Sequence, residues 1–198
     1  MSLYTLALFA HILGALGMFI GMGLQWAVVF RLRHARTVDQ VREWSGLSRI
    51  AGRSGPVSGV LILAAGIYMT VTSWSLTAPW IAVSLVAMLL MIGIGMGVTA
   101  RRLRAIGRAT LAGEADGAAI SPDVARLIQE PVLWVSAQMT VGIAVGIVFL
   151  MTNKPGLVVS LVAMAVALGL GLIAGLATVR NRQRSQGSAA PQRVGSIG

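Results

Sequence analysis

Long apolar stretches dominate this chain and alternate with shorter polar segments. A helix needs roughly 20 apolar residues to cross a hydrocarbon core about 30 Å thick. Five stretches reach about that length: residues 3–30, 56–74, 79–100, 131–151 and 157–179. Three of them open with a proline, at Pro56, Pro79 and Pro131, which is typical of the first turn of a helix. The pattern predicts an all-α, polytopic membrane bundle of five transmembrane helices.

Positive charges fall between these stretches in a regular order. The chain has 16 Lys and Arg residues, and all except Lys154 lie in residues 31–53, 101–126 and 180–193. Because Lys and Arg accumulate in cytoplasmic loops, the order predicts an outside N-terminus and a cytoplasmic C-terminus. Residues 1–180 then form a single transmembrane domain. Residues 181–198 are predicted to be a disordered basic tail.

Composition supports this class and argues against others. A mean hydropathy of +0.81 and 11% charged residues are too apolar for an ordinary soluble domain. The basic residues that give the net charge of +10 lie beside the ends of the apolar stretches. Arginine at such positions contacts anionic lipid headgroups, which favours a membrane over nucleic acid as the partner. The expected partners are the lipid bilayer and a second copy or another membrane protein. Because the chain has no cysteine, disulfides, thiolate metal sites and iron–sulfur clusters are excluded.

The connecting segments carry interfacial signals. Residues 31–55 are predicted to contain a short amphipathic helix that lies on the membrane. Trp74 and Trp80 flank the short outer turn between spans two and three, and Trp26 and Trp134 lie near the basic side, as interfacial anchors do. Lys154 at the other side is expected to reach the headgroups or to pair with an anionic group.

Small and amide residues predict how the spans pack. Lipid gives no hydrophobic reward for helix association, so close backbone approach at small residues supplies it. Pairs of glycines four residues apart predict close helix–helix contacts, here called seams, on three spans: Gly17 and Gly21, Gly142 and Gly146, and Gly171 and Gly175. Gly93, Gly95 and Gly97 predict a further seam on the third span. Gln25 and Gln138 have matching depths, which permits a hydrogen bond between spans one and four.

His11 is the one ionisable side chain well inside any predicted span. At 1.5 Å per residue it lies roughly 12 Å below the outer end of the first span. A titratable residue at such depth is costly and suggests function. Four roles are open: an axial ligand of haem, a copper ligand, a proton carrier, or a neutral imidazole bonded to a neighbouring carbonyl or hydroxyl.

Methionine is the expected partner if His11 binds a cofactor. Met69, Met88 and Met164 fall near its depth on three other spans, and Met69 is the preferred second ligand. Methionine in an apolar protein is also ordinary packing material. The cofactor expectation is haem b, and no metal ion is specified. No span contains an acidic residue or a nucleophile matched with a base, so an enzymatic activity is not predicted.

The segment LFAHILGALGMFIGMGL resembles the first helix of an uncharacterised family of bacterial integral membrane proteins. The resemblance continues through PVSGVLILAAGIYM, PWIAVSLVAML, EPVLWVSAQMTVGI and FLMTNKPGL, and so covers most of residues 3–175. That family is distantly similar to CopD-type copper-resistance membrane proteins and to HemJ-type protoporphyrinogen oxidases. In the HemJ type the first-helix His is thought to hold b-type haem, which implies that role for His11. Met18 or Phe19 stands where those groups have tryptophan.

Together, these features predict a multi-pass membrane protein with an accessory redox or b-type haem-binding role. The alternative is a structural or assembly subunit of a membrane complex without its own chemistry, in which His11 only ties helices together. A transporter of a small neutral solute ranks third, because the spans lack the buried carboxylate that proton-coupled transport usually needs.

Overall fold

Seven α-helices and one π-helical turn make up the part of the chain that the structure describes. The computed structural model describes residues 2–111 and 117–188, without the side chains of residues 50, 51 and 181–188. The helices are α1 (Leu3–His34), α2 (Val38–Ser73), α3 (Pro79–Ile94), α4 (Ala100–Leu111), α5 (Pro122–Gln129), α6 (Pro131–Asn153) and α7 (Leu157–Ser188). The π-helical turn Gly95–Thr99 joins α3 to α4.

Within the described ranges, five helical segments are long and apolar enough to cross a membrane. They are α1, α2, the continuous α3–α4 segment, the α5–α6 segment and α7 as far as Arg180. The predicted all-α bundle of five transmembrane helices is therefore confirmed.

Helices α1 and α2 form an antiparallel hairpin in close contact. A Cβ atom on Gly14 would lie 2.9 Å from Cγ1 of Ile62, and one on Gly17 would lie 2.7 Å from Oγ of Ser58. No side chain fits at such distances without a shift. The hairpin turn spans only residues 35–37, so the two helices run alongside each other over almost their whole length.

Helix α2 differs from its prediction. Pro56 was expected to open the second span, after a separate surface helix in residues 31–55. The structure instead has one 36-residue helix with Pro56 inside it. An interior proline removes a backbone hydrogen bond and clashes with the carbonyl four residues earlier. That carbonyl belongs to Gly52, and Gly55 precedes the proline. We attribute the unbroken helix to its packing along α1, which overrides the local preference.

Glycine contacts hold α6 against α7. A Cβ on Gly142 would lie 2.5 Å from the Ala167 carbonyl oxygen, and one on Gly175 would lie 2.8 Å from Cα of Val135. A Cβ added at Gly17, Gly146 or Gly171 would likewise lie 2.7 to 3.0 Å from an atom of the neighbouring helix. The close approach at these glycines, with that at Gly142 and Gly175, confirms the predicted seams. Gly21 is also buried.

The glycines of the third span behave differently. A Cβ on Gly93, Gly95 or Gly97 would meet no atom within 4 Å, so the prediction that these three mark a helix seam is wrong. Two of them lie in the π-helical turn, whose end is instead held by a hydroxyl pair. Thr99 Oγ1 and Ser136 Oγ are 3.0 Å apart and buried between this segment and α6.

The end of the bundle that carries most of the arginines, here called the basic end, has its own core. We call this part the basic cap: residues 28–47, helices α4 and α5, and the start of α6. Its buried residues form one cluster: Val28, Val29, Leu32, Val41, Leu103, Ile106, Val124, Ile128, Leu133 and Trp134. The cap joins segments that are far apart in the sequence into one small hydrophobic core.

Backbone bonds close the basic cap. Thr37 and Ala119 form an antiparallel bridge, and the Val38 N–H donates to the Ala118 carbonyl at 3.0 Å. The Gly117 N–H donates to the Asp39 carboxylate at 2.9 Å. These contacts fasten the loop before α5 to the start of α2.

A second cluster lies within the membrane-spanning part. Its buried members are Ile62, Ala87, Met88, Met91, Ile143, Ala144, Leu150 and Met164. Many other apolar side chains of the spans face outward, as in a surface surrounded by lipid.

The predicted disordered tail began at residue 181. Helix α7 continues to Ser188, so the structure differs from that prediction over residues 181–188. Residues 189–198 lie outside the described part, and for them disorder stays a prediction.

Candidate functional site

His11 lies on the face of α1 that contacts α2. Its Nδ1 is 2.9 Å from the backbone carbonyl oxygen of Ile62. Because a carbonyl oxygen only accepts hydrogen bonds, we assign the ring proton to Nδ1, which then donates across the helix pair. The Nε2 atom takes no part in this bond. The imidazole is therefore an interhelical tie with one ring nitrogen engaged.

Gly66 makes room for the His11 ring. A Cβ on Gly66 would lie 3.3 Å from both Nδ1 and Cε1 of the imidazole, a spacing tighter than ordinary van der Waals contact. The next contacts toward the basic end are those of Gly14 with Ile62 and Gly17 with Ser58. A histidine and three glycines thus set the close approach of α1 and α2.

Met69 lies on the same face of α2 as Ile62, because seven residues make nearly two full helical turns. It is half-buried, and its neighbour Tyr68 is exposed. The close contact of α1 and α2 at Gly66 and Gly14 leaves no room for a porphyrin between the two helices at this level. His11 and Met69 therefore do not fit as opposite axial ligands of an enclosed haem.

The other methionines of matching depth are packing residues. Met88 and Met164 are buried in the membrane cluster together with Met91, and Met18 and Met22 pack against it. A Cβ added at Gly146 would lie 3.1 Å from the sulfur of Met164, so this methionine packs closely against α6. Among the described residues, no group of three or more His, Cys, Asp or Glu side chains could hold a metal ion.

Lys154 lies in an aromatic corner at the end opposite the basic end. Its Nζ is 4.3 Å from the ring centre of Trp74 and 6.0 Å from that of Trp80. The two indoles meet edge to face, with centroids 5.4 Å apart. The lysine backbone is left-handed, with φ of 50°, where it ends α6. The lysine thus joins the α6–α7 turn to the α2–α3 turn.

The two membrane amides do not meet. No hydrogen bond joins Gln25 to Gln138 among the side-chain bonds of the described residues, so the predicted tie between spans one and four is not formed. Gln138 instead lines a cleft of about 320 Å³ between α1 and α6, together with Phe19, Met22, Gly23, Trp26 and Val141.

Arginine contacts organise the basic end. The guanidinium of Arg33 lies 4.0 Å from the ring centre of Trp134, whose side chain is 2% exposed. Trp134 is therefore a core residue of the cap rather than the interfacial anchor that the sequence predicted. Arg102 pairs with Glu130 at the junction of α5 and α6. Arg126 in α5 pairs with Asp123 at 3.7 Å.

Together, these features describe a multi-pass bundle of tightly packed helices with an interhelical histidine and a basic cap. The sequence model of a family of predicted integral membrane proteins, DUF2269, matches residues 5–155. The chain belongs to the DUF2269 family. The match covers α1 to α6, and so includes His11, the basic cap and Lys154. No curated protein and no solved structure matches the chain.

The cation–aromatic contacts were missed at the sequence level. Lys154 is the one lysine in the chain and follows a span end near two tryptophans, which is a usable signal only once the α2–α3 and α6–α7 turns are known to meet. Arg33 and Trp134 are about a hundred residues apart in sequence, and no local pattern links them.

Proposed function

We propose that this DUF2269 protein is a structural or assembly subunit of a membrane complex, in which His11 joins two helices and performs no chemistry. The bond from Nδ1 to the Ile62 carbonyl at 2.9 Å carries the proposal. Hydrogen bonds of this kind between membrane helices contribute about 0.6–2 kcal/mol. The close fit of Gly66 against the ring supports the role of the imidazole as a packed side chain between the two helices.

The exposed surface of α1 supports a role in assembly. In its most apolar window only 6% of the residues are buried, against 39% in the α5–α6 segment. Phe9, Leu13 and Ile20 are among its exposed side chains. Apart from its contact with α2, the outer half of α1 is therefore available to lipid or to a helix of another membrane protein.

The proposed orientation puts the basic end in the cytoplasm of a bacterial cell, following the distribution of arginine. The natural chain has no cysteine, so single cysteines can report it. Glu43→Cys in the basic cap and Ser75→Cys in the opposite turn replace exposed residues. We expect a membrane-impermeant maleimide to label only residue 75 in intact spheroplasts, and labelling of residue 43 alone would reverse the orientation.

A second candidate function is b-type haem binding through His11 alone. The engaged Nδ1 fixes the tautomer in which Nε2 carries the lone pair, and ligand histidines commonly have their other nitrogen oriented by a carbonyl in this way. The resemblance to HemJ-type proteins supports the same residue. Such a cofactor would supply one-electron redox chemistry, and His11 would hold it through Nε2.

An absorbance spectrum separates the two candidates. The protein would be purified from cells supplied with a haem precursor, as the natural chain, His11→Ala and His34→Ala. His34 is the matched control, because its ring bonds only within α1, to the Phe30 carbonyl. The structural proposal expects no Soret band in any of the three. A Soret band that His11→Ala removes and His34→Ala retains would establish the haem candidate instead.

A further inference from the structure

The cleft between α1 and α6 lies within one leaflet of the membrane. Its α1 lining runs from Trp26 to Phe19, which at 1.5 Å per residue is roughly 7 to 18 Å from Arg31 along the helix. Half of a hydrocarbon core of about 30 Å is about 15 Å. The cleft therefore extends from near the basic end to about the middle of the bilayer.

The lining of the cleft is almost entirely apolar. Phe19, Met22, Trp26 and Val141 supply its walls, and Gln138 is its one polar side chain. A hydrocarbon chain suits such a lining, because it has no polar group that would need a hydrogen-bond partner there.

Aromatic contacts connect the cleft to cationic groups at the basic end. Trp26 meets Trp134 edge to face at 6.3 Å, and the guanidinium of Arg33 lies 4.0 Å from the ring centre of Trp134. Val179 packs against the cluster that contains Trp134. Its neighbour Arg180 is exposed and lies at the same end of the bundle.

We infer that this cleft binds one acyl chain of an anionic phospholipid from the leaflet at the basic end, with the phosphate near Arg33 and Arg180. Guanidinium groups bind phosphate oxygens through charge-assisted hydrogen bonds, and basic pockets between helices bind acidic headgroups. Arg33 lies seven residues, nearly two helical turns, beyond the cleft residue Trp26 on the same face of α1. An apolar groove followed by a cation on the same helix face favours such a lipid over a neutral isoprenoid or a second protein. The inference does not depend on the role proposed for His11.

Gly23 offers a direct test, because a side chain there would fill the cleft without striking the protein. Its Cβ would meet no atom within 4 Å, so Gly23→Leu should fold. Gly169→Leu is the matched control: Gly169 lies on α7 and is equally unobstructed. Both changes replace a helical glycine with a better helix former. Equal thermal midpoints would show that both variants retain the fold.

Native mass spectrometry would measure the binding of dioleoylphosphatidylglycerol and dioleoylphosphatidylcholine to the delipidated full-length protein. For the natural chain we expect one tightly bound lipid and about tenfold preference for phosphatidylglycerol, the scale of one charge-assisted bond. Gly23→Leu should weaken that binding at least about tenfold, while Gly169→Leu should leave it unchanged.

Charge variants test the headgroup contact separately. Arg180→Gln and the double variant Arg33→Gln/Arg180→Gln should reduce the preference for phosphatidylglycerol while binding of phosphatidylcholine persists. If Arg33→Gln disturbs the cap, the Arg180→Gln variant alone still gives the answer. The inference is overturned if Gly23→Leu and Gly169→Leu bind equally, if the natural chain does not distinguish the two lipids, or if a neutral isoprenoid or a protein helix occupies the cleft.

Discussion

The basic cap and the membrane-spanning bundle are packed in different ways within one chain. In the cap, Val28, Val38, Val41 and Ile106 are 0% exposed, and they form a hydrophobic core like that of a small soluble domain. In the bundle, close contacts are made at glycines, and apolar side chains such as Ile20 and Val158 are more than 70% exposed.

The solvent explains this difference. Removing apolar surface from water is worth about 25 cal/mol per Å², so the cap gains from enclosing large side chains. In lipid, an apolar side chain gains nothing by moving inward, and helices associate through dispersion contacts and hydrogen bonds. The two regions should therefore respond differently to the same type of substitution.

Truncation of a cap core residue should have the largest effect. Ile106→Ala removes a fully buried side chain and is expected to lower the free energy of unfolding by about 2–5 kcal/mol. Val86 in α3 is 66% exposed, and Val86→Ala should change it by less than about 0.5 kcal/mol. Thermal unfolding in detergent micelles measures both, and equal losses would show that the two regions are packed alike.

Enlargement of a seam glycine should have the next largest effect. Gly142→Leu places a Cβ 2.5 Å from the Ala167 carbonyl oxygen, and we expect a loss of about 1–3 kcal/mol or more from overpacking. Gly93→Leu introduces the same side chain where no atom lies within 4 Å and should be tolerated. The same thermal assay applies, and a stable Gly142→Leu protein would contradict the proposed seam between α6 and α7.

Loss of the lysine contact should have the smallest effect. Lys154→Met removes the cation from the Trp74 ring but keeps an unbranched chain of similar length, and should cost about 0.5–1 kcal/mol. Lys154→Arg keeps the charge and should cost less. Intrinsic tryptophan fluorescence during unfolding reports on both variants. Identical unfolding midpoints for Lys154→Met and Lys154→Arg would show that the lysine charge does not contribute to stability.

The sequence predicted the spans and most of the glycine seams because both depend on local spacing. A backbone carbonyl of a neighbouring helix was also one of the alternatives that the sequence suggested for His11, and the structure has this contact. The sequence could not choose that partner, because Ile62 lies 51 residues away and depth alone does not fix the rotation of α1 about its axis.

The basic cap was not predicted for a related reason. Its core combines the ends of α1 and α6 with short amphipathic helices that look like surface loops when read singly. The sequence also did not predict that α2 continues through Pro56. We attribute this to packing along α1, which outweighs the local preference of proline to start a helix. Both misses come from contacts between segments that are distant in the sequence.

The most direct test of the central claim is the stability of His11→Ala beside His34→Ala. If the imidazole ties α1 to α2 through the Ile62 carbonyl, His11→Ala should lower the free energy of unfolding by about 0.6–2 kcal/mol. His34→Ala, whose exposed ring bonds within its own helix, should leave it nearly unchanged. A His11→Ala protein as stable as the natural chain would contradict the claim that this histidine is a structural tie.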